Sequence, residues 1–173
     1  MEKIISFSLF EGIENDKRLS DKITKILNDQ IKNELQSSQI YRGMSCWLDD
    51  KGWVDAAKYF FKAAQEELIH MDKIYQYLFD MNVVAVVPVT DEVKQEFKEL
   101  RDVVEESLKH EIEVTKNWEK ISKEAEEDND NTTYEFAQWF LKEQIEEENK
   151  WRDMLDKFNL DMPKWKQDDL FKQ

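Results

Sequence analysis

Four long stretches of this chain repeat apolar residues at steps of three and four, and little inside them can break a helix. The first carries Ile23, Ile26, Leu27, Ile31, Leu35 and Ile40, and the second Ala57, Phe60, Phe61, Ala64, Leu68, Met71, Ile74 and Leu78. The third carries Val93, Phe97, Leu100, Val104, Leu108, Ile112 and Trp118, and the fourth Phe136, Phe140, Ile145, Trp151, Met154, Leu155 and Phe158. Such steps keep side chains on one face of an α-helix. Only three Gly and two Pro occur in 173 residues, so long helices with few turns are expected. Four apolar faces must bury against one another, and an all-α four-helix bundle is the expected fold.

Local signals set the boundaries. Ser20 is the expected N-cap of the first helix, which runs to about Leu48 before a turn at Asp49, Asp50, Lys51 and Gly52. The second helix is expected over Val54 to Phe79. The β-branched string VVAVVPVT (residues 83–90) has no second strand to pair with, so it reads as an extended crossover. About eleven extended residues reach ~35 Å, roughly one helix length. Asp91 is the expected cap of the third helix, EEDNDNTT (residues 126–133) separates it from the fourth, and the fourth runs from about Tyr134 to Phe158. The organisation is thus an N-terminal arm (1–18), one helical domain (19–160) and a short C-terminal tail (161–173).

A net charge of −14 disfavours nucleic acid and anionic membrane surfaces as partners, because both would repel the chain. The lone Cys46 rules out an internal disulfide framework and any Cys-x-x-Cys metal site, and is expected to pack as a small hydrophobe in a reducing compartment. The string IISFSLF is short for a signal segment and runs into acidic residues, so a cytoplasmic location is expected. Of the six Trp and five Tyr, Trp47, Trp53, Tyr59 and Trp165 lie off the core stripes and are expected at subunit contacts.

Chemistry enters with Glu67 and His70 in AAQEELIH. Three residues are 300° of helical rotation and about one turn of rise, so both side chains face one point. Glu34, Glu111 and the run Glu143, Gln144, Glu146, Glu147 add carboxylates from three other helices. Heights decide whether they can meet. Glu34 precedes Gly52 by 18 residues and Glu67 follows it by 15, a mismatch of ~5 Å in an antiparallel pair. Glu111 and Glu147 flank Asp130 at 19 and 17 residues, again nearly level. Burying that many anions without a cation costs several kcal/mol per charge. A carboxylate-rich site with one imidazole suits iron or manganese.

The strings LNDQIKNELQSSQIY, AAQEELIHMDKIYQYL, LKHEIEVT and FAQWFLKEQIEEE resemble the ferritins, specifically the bacterial non-haem type, over about residues 19–160. The resemblance implies a di-iron ferroxidase centre that oxidises Fe(II) with O2 or H2O2. It implies one iron site at Glu34, Glu67 and His70 with Gln144 nearby, and a second at Glu67, Glu111 and Glu147, with Glu67 bridging. A third iron site is implied at Glu66, Glu143 and Glu146. Tyr41 matches the tyrosine beside the centre, and Trp139 a nearby tryptophan read first as packing. Bacterioferritins and rubrerythrins carry a second Glu-x-x-His on the last helix, where this chain has Gln144-Ile145-Glu146-Glu147. Leu68 replaces the haem-ligating methionine, so no haem is expected.

The family also implies self-association into a 24-subunit homo-oligomeric cage that holds ferric mineral. Two departures bear on that. The tail DMPKWKQDDLFKQ is short, so the fifth helix that lines the family's four-fold axis is truncated or absent. The acids of the three-fold pore in animal ferritins fall on Tyr134 and Ala137, with Glu126, Glu127, Asp128, Asp130 and Glu135 close by as substitutes. The alternative expectation is a ferritin-like di-iron oxidase that builds no full cage.

Overall fold

Ser20 starts the first helix as its side chain predicts: its Oγ accepts the Ile23 backbone N–H at 3.1 Å. The computed structural model describes residues 18–160 and 162–172, so most of the N-terminal arm lies outside it. The elements are α1 (Asp21–Asp50), α2 (Val54–Asp80), α3 (Leu100–Glu127), α4 (Asn131–Phe158) and a C-terminal 3-10 helix (Lys164–Phe171). Gly52, at φ +80°, makes the α1–α2 turn with a conformation that side chains avoid.

The helices pair antiparallel. Ser38 Oγ donates to the Ala64 carbonyl at 2.7 Å and Ser45 Oγ to that of Ala57 at 2.8 Å, which brings α1 close to α2. On the other pair, Gln138 of α4 reaches Ser122 of α3 at 2.8 Å, and Thr115 of α3 reaches Glu148 of α4 at 2.7 Å. α1 also packs on α3. The result is the expected four-helix bundle.

The third helix begins at Leu100, nine residues after the expected cap Asp91. Asp91 is used elsewhere. Its backbone N–H and carbonyl both bond the Gln36 side chain, at 2.7 and 3.2 Å, and its carboxylate pairs with Lys32 at 2.9 Å. The start of α3 is instead closed by Asp102, whose carboxylate accepts the Lys98 and Glu99 backbone N–H groups at 3.1 and 3.3 Å. The crossover therefore extends to Glu99 and runs parallel to α1. Val86 bonds Asn28 at 2.7 Å, and Phe97 packs edge-on against Trp47 at 5.4 Å. Between those points it passes over Gly43, where a Cβ would come within 3.2 Å of both the Lys94 carbonyl and Val93.

The C-terminal 3-10 helix folds back on the bundle. The Asp168 carboxylate accepts the Ala56 and Asp55 backbone N–H groups at 2.8 and 3.1 Å, capping an α2 terminus that Trp53 leaves uncapped. Phe171 is buried against Tyr59 and Phe60.

Several stripe and surface expectations need correction. Trp47 is buried and Trp53 and Tyr59 are half-buried on the core, so of the four named aromatics only Trp165 is exposed. Cys46 is exposed, on the face of α1 opposite its core stripe. Phe61 and Ile145 also face outward, because the adjacent positions, Phe60 and Gln144, take the inward directions. Asp130 serves as the N-cap of α4, accepting the Thr133 N–H at 3.0 Å.

Candidate metal centre

The apolar core has two halves. One gathers Tyr41, Trp47, Phe60, Val103, Val104, Trp151 and their neighbours, and the other Ile23, Ile31, Ile74, Leu78, Trp118 and Phe140 with theirs. Buried polar side chains, Gln30, Glu34, Glu67, Glu111 and Gln144, come from all four helices of the bundle. The apolar halves supply the burial that offsets the cost of desolvating these groups.

Glu34 is 1% exposed. Its Oε1 accepts from Gln30 Nε2 at 2.7 Å and from Trp118 Nε1 at 3.1 Å, while its Oε2 is buried with no hydrogen-bond partner. Such an orphaned acceptor costs free energy unless something electropositive occupies the space beside it. Glu67 and His70 supply the rest of that space. One ligand atom from each of Glu34, Glu67 and His70 lies within 4.8 Å of the others, a spread that one cation can bridge. His70 Nδ1 lies 3.4 Å from Glu67 Oε2, and the ring stands edge-on to Trp139 and Phe140.

Glu111 sits beside this trio with a different environment. It accepts the Tyr41 hydroxyl in a short hydrogen bond and Gln144 Nε2 at 2.9 Å. Behind Tyr41 stands His110, whose Nε2 lies 2.7 Å from Ser37 Oγ and whose ring meets the tyrosine edge-on. Burial pushes His110 down to about 4, so this imidazole is neutral.

The carboxyls titrate far from their ordinary range. Burial, and then the charge of Glu67, raises Glu34 to about 8. Burial and then Glu111 hold Glu67 well above the usual value. Burial raises Glu111 to about 7, against the hydrogen bonds from Tyr41 and Gln144. Without metal, burial favours the protonated forms of these carboxyls, and a divalent cation would displace their protons.

Glu147 lies toward solvent, about a quarter exposed, and its Oε2 is 2.5 Å from Lys150 Nζ. It still acts on the interior, raising both Glu67 and Glu111. Glu147, Glu66, Glu143, His70 and Lys150 line an open cleft of about 410 Å³ together with Tyr59 and Lys62. Glu146 is exposed and does not line it. The structure thus brings Glu34, Glu67 and His70 together and sets Glu111, Gln144 and Tyr41 against them. It leaves Glu147 on a lysine.

Sequence reasoning missed Gln30, Trp118 and Lys150 as partners of the site. Gln30 stands four residues before Glu34 and Lys150 three after Glu147, so helical spacing alone points to both. Trp118 reads as a stripe residue, and its indole N–H has no sequence signal.

A profile of the ferritin-like domain matches residues 24–160. A probable bacterial non-heme ferritin-like protein of Haemophilus influenzae is 36% identical over 141 residues, 82% of this chain and 86% of its own length. The bacterial non-heme ferritin of Staphylococcus haemolyticus is 33% identical over 141 residues, covering 82% and 85%. Among solved structures, an open pore ferritin from the hyperthermophilic archaeon Archaeoglobus fulgidus matches with a TM-score of 0.85 at 26% identity, over 90% of this chain and 99% of that one.

Proposed function

The chain belongs to the ferritin family, and on that premise we propose that it stores and detoxifies iron by oxidising Fe(II) to Fe(III) at two adjacent positions inside each bundle. The observation that carries this is the buried trio itself: one ligand atom each from Glu34, Glu67 and His70 lies within 4.8 Å of the others, and a Glu34 oxygen is buried there without a donor. Glu34, Glu67 and His70 would hold the first iron. Glu67 would bridge to a second, held also by Glu111 and Glu147, with Gln144 fixing Glu111. Carboxylates suit the reaction because they stabilise the higher charge of Fe(III) and can shift between bridging and terminal contacts.

The redox balance is simple. Two Fe(II) give one electron each to O2, which takes two protons and leaves as H2O2. A further two Fe(II) and two protons reduce that H2O2 to water. The neutral carboxyls release protons as iron binds, next to where the oxidant needs them. Tyr41, bonded to Glu111, keeps that carboxylate turned toward the centre. Glu66, Glu143 and Glu146 are proposed as a third, more open iron position, with Glu66 and Glu143 on the cleft and Glu146 at its rim. No haem role is proposed.

Storage requires a closed shell, and self-association into a cage, 24 subunits by family analogy, is part of the proposal. The crossover supports it. Val84, Val87 and Val89 are each at least 84% exposed, an apolar ridge that a second copy of the chain would cover. Residues Lys164–Phe171 are folded back onto α2 as a 3-10 helix, held by Asp168 and Phe171. That placement, on the subunit's own helix, favours the second reading, a di-iron oxidase without a full cage. No helix among the described residues is long and apolar enough to cross a membrane, and a cytoplasmic location is part of the proposal.

Glu67 is the discriminating residue because it would touch both irons. Glu67→Ala should abolish the fast phase of Fe(II) oxidation in stopped-flow absorbance while the helical fold stays intact. Wild-type rates in that variant would overturn the assignment.

A further inference from the structure

Lys150 is a cation built into the wall of the proposed centre. Its side chain is 26% exposed, its Nζ lies 2.5 Å from Glu147 Oε2, and it rests near the faces of Trp151 and Tyr59, at 5.3 and 5.7 Å from the ring centroids. Ring walls on two sides limit the water that can solvate this ammonium, which favours the pairing over an ordinary surface contact. Glu147 is the carboxylate that the second iron position needs and that lies away from the other ligands. An ammonium has no lone pair for a metal, so Glu147 cannot serve Lys150 and a metal ion with the same oxygen.

We propose that Lys150 is a positioning residue: a resident counter-cation that holds Glu147 at the mouth of the cleft and must yield it before the second metal position fills. The inference rests on the two-iron reading above. Lys150 opposes the second metal in two ways, by occupying its ligand and by repelling its charge, while at the Glu34–Glu67–His70 position it occupies no ligand and acts only through its charge. The bundle would then fill in order. The first position is the tighter of the two, and the second fills only at higher metal concentration.

Anaerobic titration with Co(II), followed by its visible absorption, reads the two steps separately in the full-length protein. Lys150→Met keeps the length and the ring contacts without the charge, and Lys150→Arg keeps the charge. Lys150→Met should tighten the second step roughly fivefold, the worth of a partly shielded ion pair, and change the first step by clearly less. Lys150→Arg should behave as wild type. An unchanged second step in Lys150→Met, or equal changes in both steps, overturns the proposal and leaves Lys150 as packing for Tyr59 and Trp151. Binding of fewer than two Co(II) per wild-type chain overturns the two-iron reading itself, and this inference with it.

Discussion

At the scale of single residues, the centre is a set of carboxyls held where their charge is unwelcome. Glu34 shows the consequence most plainly. Its pKa is raised to about 8 in the folded chain by burial and the neighbouring Glu67, against an ordinary value of 4.5. A raised folded-state pKa means that the folded chain binds more protons than the unfolded one between those values. The metal-free protein therefore has its full stability from this group below pH ~4.5 and loses it progressively as pH rises toward about 8. The expected slope is on the order of 1 kcal/mol per pH unit from Glu34 alone. Urea unfolding of metal-free protein at pH 6 and pH 8 should show that loss, and Glu34→Gln should reduce it, leaving the share of Glu67 and Glu111. Metal should reverse it, because a cation stabilises the ionised form. Stability that rises between pH 6 and 8 without metal would contradict the burial of Glu34.

At the scale of elements, helix periods and ligand spacing were readable because both repeat along a helix. Most of the four stripes, the Ser20 cap and the α1–α2 turn follow from local geometry, whereas Val93 and Phe97 lie on the crossover before α3, and Phe61 and Ile145 face outward. What the chain hides is who partners whom across elements. Asp91 has the chemistry of a helix cap, yet Gln36 and Lys32 of α1 claim it, and a helix start nine residues on results. Trp47 lies off the apolar stripe of α1 but is buried, because the crossover adds a fifth packing surface through Phe97. Lys150 reads as a surface lysine until Tyr59, from another helix, is placed beside it. The tail is the clearest case: nothing in KWKQDDLF announces that Asp168 will cap α2. Asp168→Ala leaves two α2 backbone N–H groups without their acceptor, and should cost about 1–2 kcal/mol in chemical denaturation. An unchanged midpoint would show that the tail is not bound to the bundle in solution.

At the scale of the whole molecule, chemistry and storage make different demands. One bundle suffices for oxidation, whereas mineral needs an enclosed volume. A net charge of −14 per chain opposes association, so a cage must bury enough apolar surface to overcome it. The exposed valines of the crossover offer part of that surface, whereas Trp47, Trp53 and Tyr59 pack against the bundle's own core. The same charge draws cations toward an enclosed interior. The central claim, storage of iron oxidised by this chain, is tested most directly by size-exclusion chromatography with light scattering and iron quantitation after aerobic Fe(II) loading. The account predicts one species of 24 chains of 20.9 kDa, about 500 kDa of protein, carrying far more than two irons per chain. A monomer or dimer holding no more than two irons per chain would contradict it.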